Sequence, residues 1–318
     1  MEAKNEADGT CGYTLEDLLK IEAPPPPEDF AAFWEETYRL ATARVPEYRI
    51  EKEIWSPDAG VKILQLRFKT YDGFEIGMWI ARPESSNGGL VIGQGYGNLA
   101  TPPTSRNPGL TVALPCIRGL GISQCAQIPW KPAAHAGYGI RSRETYVIRG
   151  AVTDIWEATS VLTDLFPDTA SNLNYSGGSL GGGLGAILLP WDSRFKAGEI
   201  NVPTLAGPMQ FAFQLSGEGP GSTRRNAALS DPACMRALSY FDGASAARRI
   251  RIPILMTPAL SDKSNPPPAQ FAIANAIPEE FRILRIREVG HRAPTPKDVE
   301  LEKELEEIRK RLFEAGNG

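Results

Sequence analysis

The stretch Asn172-Leu173-Asn174-Tyr175-Ser176-Gly177-Gly178-Ser179-Leu180-Gly181-Gly182-Gly183-Leu184-Gly185 decides the fold. It contains G-x-S-x-G, read as Gly177, Gly178, Ser179, Leu180 and Gly181. That spacing permits a sharp turn from a strand into a helix with the serine at its apex, where flanking glycines relieve the crowding. An apolar lead-in precedes the turn, and Leu184, Ala186, Ile187, Leu188 and Leu189 follow at helix-compatible positions. The new helix aims its unpaired N–H groups at the serine hydroxyl. Ser179 therefore reads as a nucleophile. A P-loop is excluded because no Lys-Ser or Lys-Thr follows, and a dinucleotide fingerprint belongs to an early βαβ unit rather than a mid-chain turn carrying serine. A flexible loop of small residues is the remaining alternative, so the surroundings must decide.

Upstream, Glu28 and Asp29 open a helix carrying Phe30, Phe33, Trp34, Thr37 and Tyr38, an aromatic face suited to packing on the main body. The residues before about Thr14 read as a mobile tail, and Pro24 to Pro27 as a stiff spacer. Tyr48 to Pro83 reads as antiparallel strands turning at Tyr71-Asp72-Gly73. Short apolar runs follow at Leu90–Ile92 and Leu110–Leu114, then a helix from about Glu144 to Leu165. Beyond Ser179, strands are expected at Phe195–Val202, Ile252–Met256 and Phe281–Val289, with helices at Gln270–Ala276 and Pro296–Ala315. Residues 203–235 read as irregular cover. Alternating strands and helices imply an α/β protein whose mostly parallel sheet is covered by helices on both faces.

A serine hydroxyl needs a base, and this chain has only two histidines. His291 follows the strand ending at Val289, whereas His135 precedes Ser179. In the α/β-hydrolase fold the order is serine, acid, histidine, which selects His291 and leaves His135 as a surface or pocket-rim residue. The acid must lie between them at the end of a strand. Asp262 meets that condition, while Asp192, Asp231 and Asp242 lie near helices or in the irregular segment. Backbone N–H groups of Leu180 and of Tyr96, the latter in Gly93-Gln94-Gly95-Tyr96-Gly97, are the candidate oxyanion donors.

Bulk properties narrow the partners. The 318 residues are 42% hydrophobic with net charge −4, so there is no basic surplus for nucleic acid or anionic membrane. No uninterrupted apolar run is long enough for a membrane span. Cys11, Cys116, Cys125 and Cys234 are widely spaced, with no C-x-x-C pair. Nothing in that spacing points to a metal or redox site.

The chain resembles carbohydrate esterase family 7, the acetyl xylan esterases and cephalosporin C deacetylases. The likeness is carried by Pro27-Glu28-Asp29-Phe30 through Trp34, Phe68 through Gly73, Gly95-Tyr96, Arg118-Gly119-Leu120-Gly121, Gly177 to Gly182, Leu260-Ser261-Asp262 through Pro267, and Gly290-His291. The resemblance implies Ser179 as nucleophile, Asp262 as acid and His291 as base, with Tyr96 and Leu180 in the oxyanion hole. It further implies cofactor-free removal of acetyl groups from small acetylated sugars, xylo-oligosaccharides and cephalosporin C by a cytoplasmic homo-oligomer, often a hexamer. Six positions depart from the family pattern: Gln94, Cys116, Leu120, Ala259, Asn265 and Arg292 stand for histidine, aspartate, glutamine, glycine, cysteine and glutamate. The expected organisation is a tail and spacer over 1–27 and one α/β-hydrolase domain over 28–318. The alternatives are a dienelactone-type, thioester or longer-acyl hydrolase with the same triad, or a catalytically silent binding relative.

Overall fold

The computed structural model describes residues 9–96, 109–206 and 219–314. Nine strands form one sheet in the order β1-β2-β3-β5-β4-β6-β7-β8-β10. They are β1 (Tyr48–Ser56), β2 (Val61–Lys69), β3 (Glu75–Pro83), β4 (Gly89–Gly93), β5 (Thr111–Pro115), β6 (Leu173–Gly178), β7 (Phe195–Asn201), β8 (Ile254–Thr257) and β10 (Arg282–Leu284). The first three pair antiparallel and β3 meets β5 antiparallel, but every pairing from β5 to β10 is parallel. Of the parallel strands, β4, β5 and β8 read as nearly continuous apolar runs, as expected where helices cover both faces. The chain steps from β4 outward to β5, then back across β4 to β6, so the direction of strand addition reverses beside β4. Such a reversal opens a crevice at the carboxyl ends of the strands, where open α/β sheets bind ligands.

Four helices set this layer against its surroundings. Helix α1 (Leu15–Leu18) is followed by α2 (Phe30–Thr42), α3 (Pro132–Ala136) and α4 (Val147–Leu165). On α2, Phe30 and Trp34 are fully buried, and the Trp34 ring meets Trp156 of α4 edge-on at 6.1 Å. Side chains of that size contribute about 1.5–3 kcal/mol each on burial, which fixes α2 to the body as its aromatic spacing implies. Helix α4 is buried along almost its whole length, from Val147 to Leu162.

The remaining helices are α5 (Leu180–Leu188), α6 (Gly219–Ser230), α7 (Pro232–Leu238), α8 (Gly243–Ala247), α9 (Pro267–Ala276) and α10 (Pro296–Glu314). Two short strands, β9 (Ala259–Ser261) and β11 (Arg287–Val289), pair in parallel beyond the ends of β8 and β10. The single strand expected over Phe281–Val289 is thus two, β10 and β11, separated at Arg285, whose N–H donates to the Met256 carbonyl. The expected irregular cover also differs: α6 and α7 occupy 219–238, while 207–218 lie outside the described residues.

The N-terminal segment departs most from expectation. From Gly9 onward it is fastened to the body and is not a free tail and spacer. Leu18 is completely buried, and the Asn275 amide donates to the carbonyls of Leu18 and Ile21, each at 2.9 Å. The Ser245 hydroxyl donates to the Pro24 carbonyl, and the Asp262 N–H to Gly9 O at 2.8 Å. No helix among the described residues is long and apolar enough to cross a membrane.

Candidate active site

Strand β6 ends at Gly178 and α5 begins at Leu180, leaving Ser179 between them with φ 54° and ψ −119°. A non-glycine residue with positive φ is strained and persists only where its surroundings over-determine it. They do so here through three hydrogen bonds. Ser179 N–H donates to Asn201 O at 3.0 Å, and Ser179 O accepts from Thr204 N at 3.0 Å and Gly183 N at 3.1 Å. Close packing completes the turn: a Cβ on Gly181 would overlap the Gly93 carbonyl at the end of β4. The glycine run that marks the motif in the sequence is therefore what lets the elbow seat against the neighbouring strand.

Asp262 follows β9 and is 2% exposed. Its Oδ1 accepts from the N–H groups of Ser264 at 2.8 Å and Asn265 at 3.1 Å. Its Oδ2 accepts from Gln270 Nε2 at 3.0 Å and lies 2.7 Å from His291 Nδ1. An ionised carboxylate only accepts, so the His291 proton sits on Nδ1 and Nε2 is left as the free base. Gly290 makes the approach possible, because a Cβ there would overlap the Asp262 carboxylate. His291 itself sits at φ 48°. The acid–base pair is assembled. Ser179 Oγ, by contrast, lies 3.5 Å from Asn265 Nδ2, which donates mainly to Val202 O at 2.8 Å. No Ser179–His291 hydrogen bond is formed among the described residues. Such contacts are commonly open in unliganded sites and close when substrate binds.

The two candidate oxyanion donors are both unengaged. Leu180 is the first residue of α5, so its N–H has no acceptor inside the helix. Tyr96 donates its N–H to no acceptor among the described residues. Its neighbour Gly97 lies outside them. The Tyr96 side chain is anchored instead by His135, which lies on α3 with no exposed surface. This corrects the reading of His135 as a surface or rim residue: α3 packs against α4 and α6, and both ring nitrogens are engaged. His135 Nε2 is 3.0 Å from the Arg118 carbonyl and Nδ1 is 3.0 Å from Tyr96 Oη. A carbonyl only accepts, so Nε2 carries the proton and Tyr96 donates its hydroxyl to Nδ1. The ring is locked in one tautomer, and burial lowers its pKa, reinforcing the neutral form. The same burial pushes the Tyr96 phenol up.

Gln270 escaped the sequence reading, which noted Asn265 only as a departure from the family pattern. Gln270 is fully buried on α9, donating to Asp262 and to Asn265 O at 2.5 Å while accepting from Ala259 N at 2.9 Å. Besides Asn265, three departures from the family pattern have structural partners: Gln94 Oε1 accepts from Ile117 N at 2.8 Å, Arg292 donates to Ser261 Oγ at 3.0 Å, and Ala259 meets Gln270. Leu120 and Cys116 are buried. Arg118 is structural as well, joining Asp154 of α4 to Asp72 of the β2–β3 turn, each at 2.7 Å. The described residues contain no group of three His, Cys, Asp or Glu able to hold a metal ion.

Residues 13–300 match the family model for acetyl xylan esterase (AXE1). The acetyl esterase Axe7A of Xylanibacter ruminicola is 28% identical over 152 residues, 47% of this chain and 34% of that protein. The match thus spans about a third of that relative's length. Among solved structures, an acetyl xylan esterase from Paenibacillus sp. R4 superposes with TM-score 0.76 at 22% identity, covering 93% of this chain and 99% of that one. Acetyl xylan esterase 1 from Thermoanaerobacterium sp. JW/SL YS485 gives TM-score 0.79 at 18% identity, covering 96% and 99%. At these identities the two superpositions speak to the fold, which is that of the α/β hydrolases.

Proposed function

Since the chain belongs to the acetyl xylan esterase family, we propose that it is a serine esterase removing acetyl groups from acetylated carbohydrates, with Ser179, Asp262 and His291 as its triad. The observation that carries this reading is the Asp262–His291 pair at 2.7 Å on the loops beside a Ser179 held at φ 54°. His291 Nε2 takes the hydroxyl proton as Ser179 Oγ attacks the acetyl carbonyl carbon, and the negative charge passes to the carbonyl oxygen between the N–H groups of Tyr96 and Leu180. Collapse breaks the bond to the alcohol, which leaves with the proton from His291. Water then attacks the acetyl-serine, His291 takes its proton, and acetate departs as Ser179 recovers its hydrogen. Asp262 orients the imidazole and stabilises its protonated form throughout.

Acetate release from acetylated xylo-oligosaccharides, measured beside cephalosporin C and a simple aryl acetate, tests the substrate class. An acetyl-sized pocket should reject butyryl and longer esters. Preference for long acyl chains would move the assignment to a different esterase class. The family resemblance extends the proposal to a cytoplasmic homo-oligomer, a hexamer, which light scattering on the purified chain tests. It also treats residues 28–318 as one catalytic domain, for which a single unfolding transition is expected.

A further inference from the structure

Arg224, on α6, is 8% exposed, and its Nη1 is shielded from solvent with no hydrogen-bond partner. Its Nη2 donates to Thr204 Oγ1 at 2.9 Å. The comparison with Arg118 is instructive, because that equally buried guanidinium meets two carboxylates, Asp154 and Asp72. Arg224 meets none among the described residues. A desolvated cation without a counter-charge is costly, and a folded protein keeps one where something else supplies the anion.

The position of Arg224 says where that anion would sit. Thr204, which accepts from its Nη2, gives its own N–H to Ser179 O, so the guanidinium is two bonded contacts from the nucleophile's backbone. Its charge is felt by the phenols of Tyr96 and Tyr146, the first of which belongs to the candidate oxyanion loop. Helix α6 packs on α3, which carries the His135 that anchors Tyr96. Among the described residues, the groups named around Arg224 are therefore the hydroxyls of Thr204 and Tyr146 beside the elbow, none of them charged.

We propose that Arg224 is a substrate-recognition residue that binds a carboxylate on the ester, so that the preferred substrates are acetyl esters of alcohols bearing a carboxylate. The planar guanidinium fork matches a carboxylate in size and donor geometry. The inference rests on the acetyl esterase reading above: an acetyl group carries no charge, which puts the anion on the alcohol portion.

The test compares 4-acetoxybenzoate with its methyl ester, using the purified full chain and the Arg224→Gln variant. The carboxylate preference, taken as the ratio of the two kcat/KM values, is expected to fall about 10- to 100-fold in the variant, the range of a charged hydrogen bond. Turnover of the neutral methyl ester should stay within about threefold. An unchanged ratio, or equal loss on both esters in a folded variant, would overturn the assignment. An Arg224-dependent preference for 4-nitrophenyl hemisuccinate would overturn it too, by moving the anion to the acyl side. Should Arg224→Gln fail to fold, inhibition of the wild type decides. Benzoate is expected to compete with the methyl ester at least about tenfold more tightly than benzamide, and equal inhibition contradicts the proposal. Failure of the esterase reading looks different: the wild type would then hydrolyse neither ester, or Ser179→Ala would keep its activity.

Discussion

On one side of Ser179, the Asp262 carboxylate is met by four donors: two backbone N–H groups, the Gln270 amide and the His291 imidazole. On the other side, Tyr96 itself is held, among the described residues, by one hydrogen-bonded relay, from its hydroxyl through His135 to the Arg118 carbonyl, two residues beyond the Gln94–Ile117 bond. Asp262 is redundantly held, whereas the Tyr96 side chain has one hydrogen-bond partner among the described residues. Losing one brace should therefore hurt the second arm more than the first. The difference also has a chemical logic, since Asp262 bears a full charge that must stay satisfied while buried, whereas Tyr96 is neutral and offers only a backbone dipole.

The largest expected effect lies at the point both arms serve. Ser179→Ala should lower kcat on an aryl acetate by roughly 10⁶-fold, measured with the protein shown folded by circular dichroism. Asp262→Asn comes next: its amide can donate to His291 and impose the wrong tautomer, so a loss of roughly 10⁴-fold in kcat is expected.

The comparison between arms is then decided by two neutral replacements. His135→Phe removes the one anchor of the Tyr96 hydroxyl among the described residues and should cost about 10- to 100-fold in kcat with KM almost unchanged, as for a displaced oxyanion donor. His135→Gln, whose amide can donate to Arg118 O and accept from Tyr96, should restore most of that loss. Gln270→Leu removes one of four donors to Asp262 and should cost only about 2- to 10-fold. If Gln270→Leu proves worse than His135→Phe, the ranking of the two arms is reversed.

The smallest effect lies outside both arms. Burial pushes the Glu157 carboxyl up to about 8, helped by nearby Asp154. One oxygen accepts from Tyr71 N and the other is buried without a partner. A folded-state pKa raised above the ordinary value near 4.3 means the folded chain keeps a proton that the unfolded chain has released. This contribution is fully present below the unfolded value and is lost as pH rises toward about 8. Glu157→Gln should therefore raise Tm by about 1–3 °C at pH 8.5, leave it unchanged near pH 4, and not alter kcat.

How much of this was legible in the sequence follows the same division. The elbow could be read because the strain at Ser179 demands glycines at fixed local spacing. Asp262 and His291 could be placed by chain order, helped by there being only two histidines. The parallel sheet followed from apolar runs alternating with helical stripes. The braces could not be read, because Gln270, Asn265 and His135 act on residues brought near only by folding, and a buried glutamine looks like any helical glutamine. The N-terminal segment did carry a missed signal. Thr14 and Asp17 form a capping box ahead of the buried Leu18, a local pattern that argues for a docked turn and against a tail. The break between β10 and β11 has no such marker, since Phe281 to Val289 contains no glycine, proline or other turn residue.

The most direct test of the proposed chemistry is to quench the enzyme during turnover of 4-nitrophenyl acetate and locate the trapped acetyl group by peptide mass mapping. One acetyl group on Ser179, absent from Ser179→Ala, is the expected result. An acetyl group on another residue, or undiminished turnover in Ser179→Ala, would contradict it.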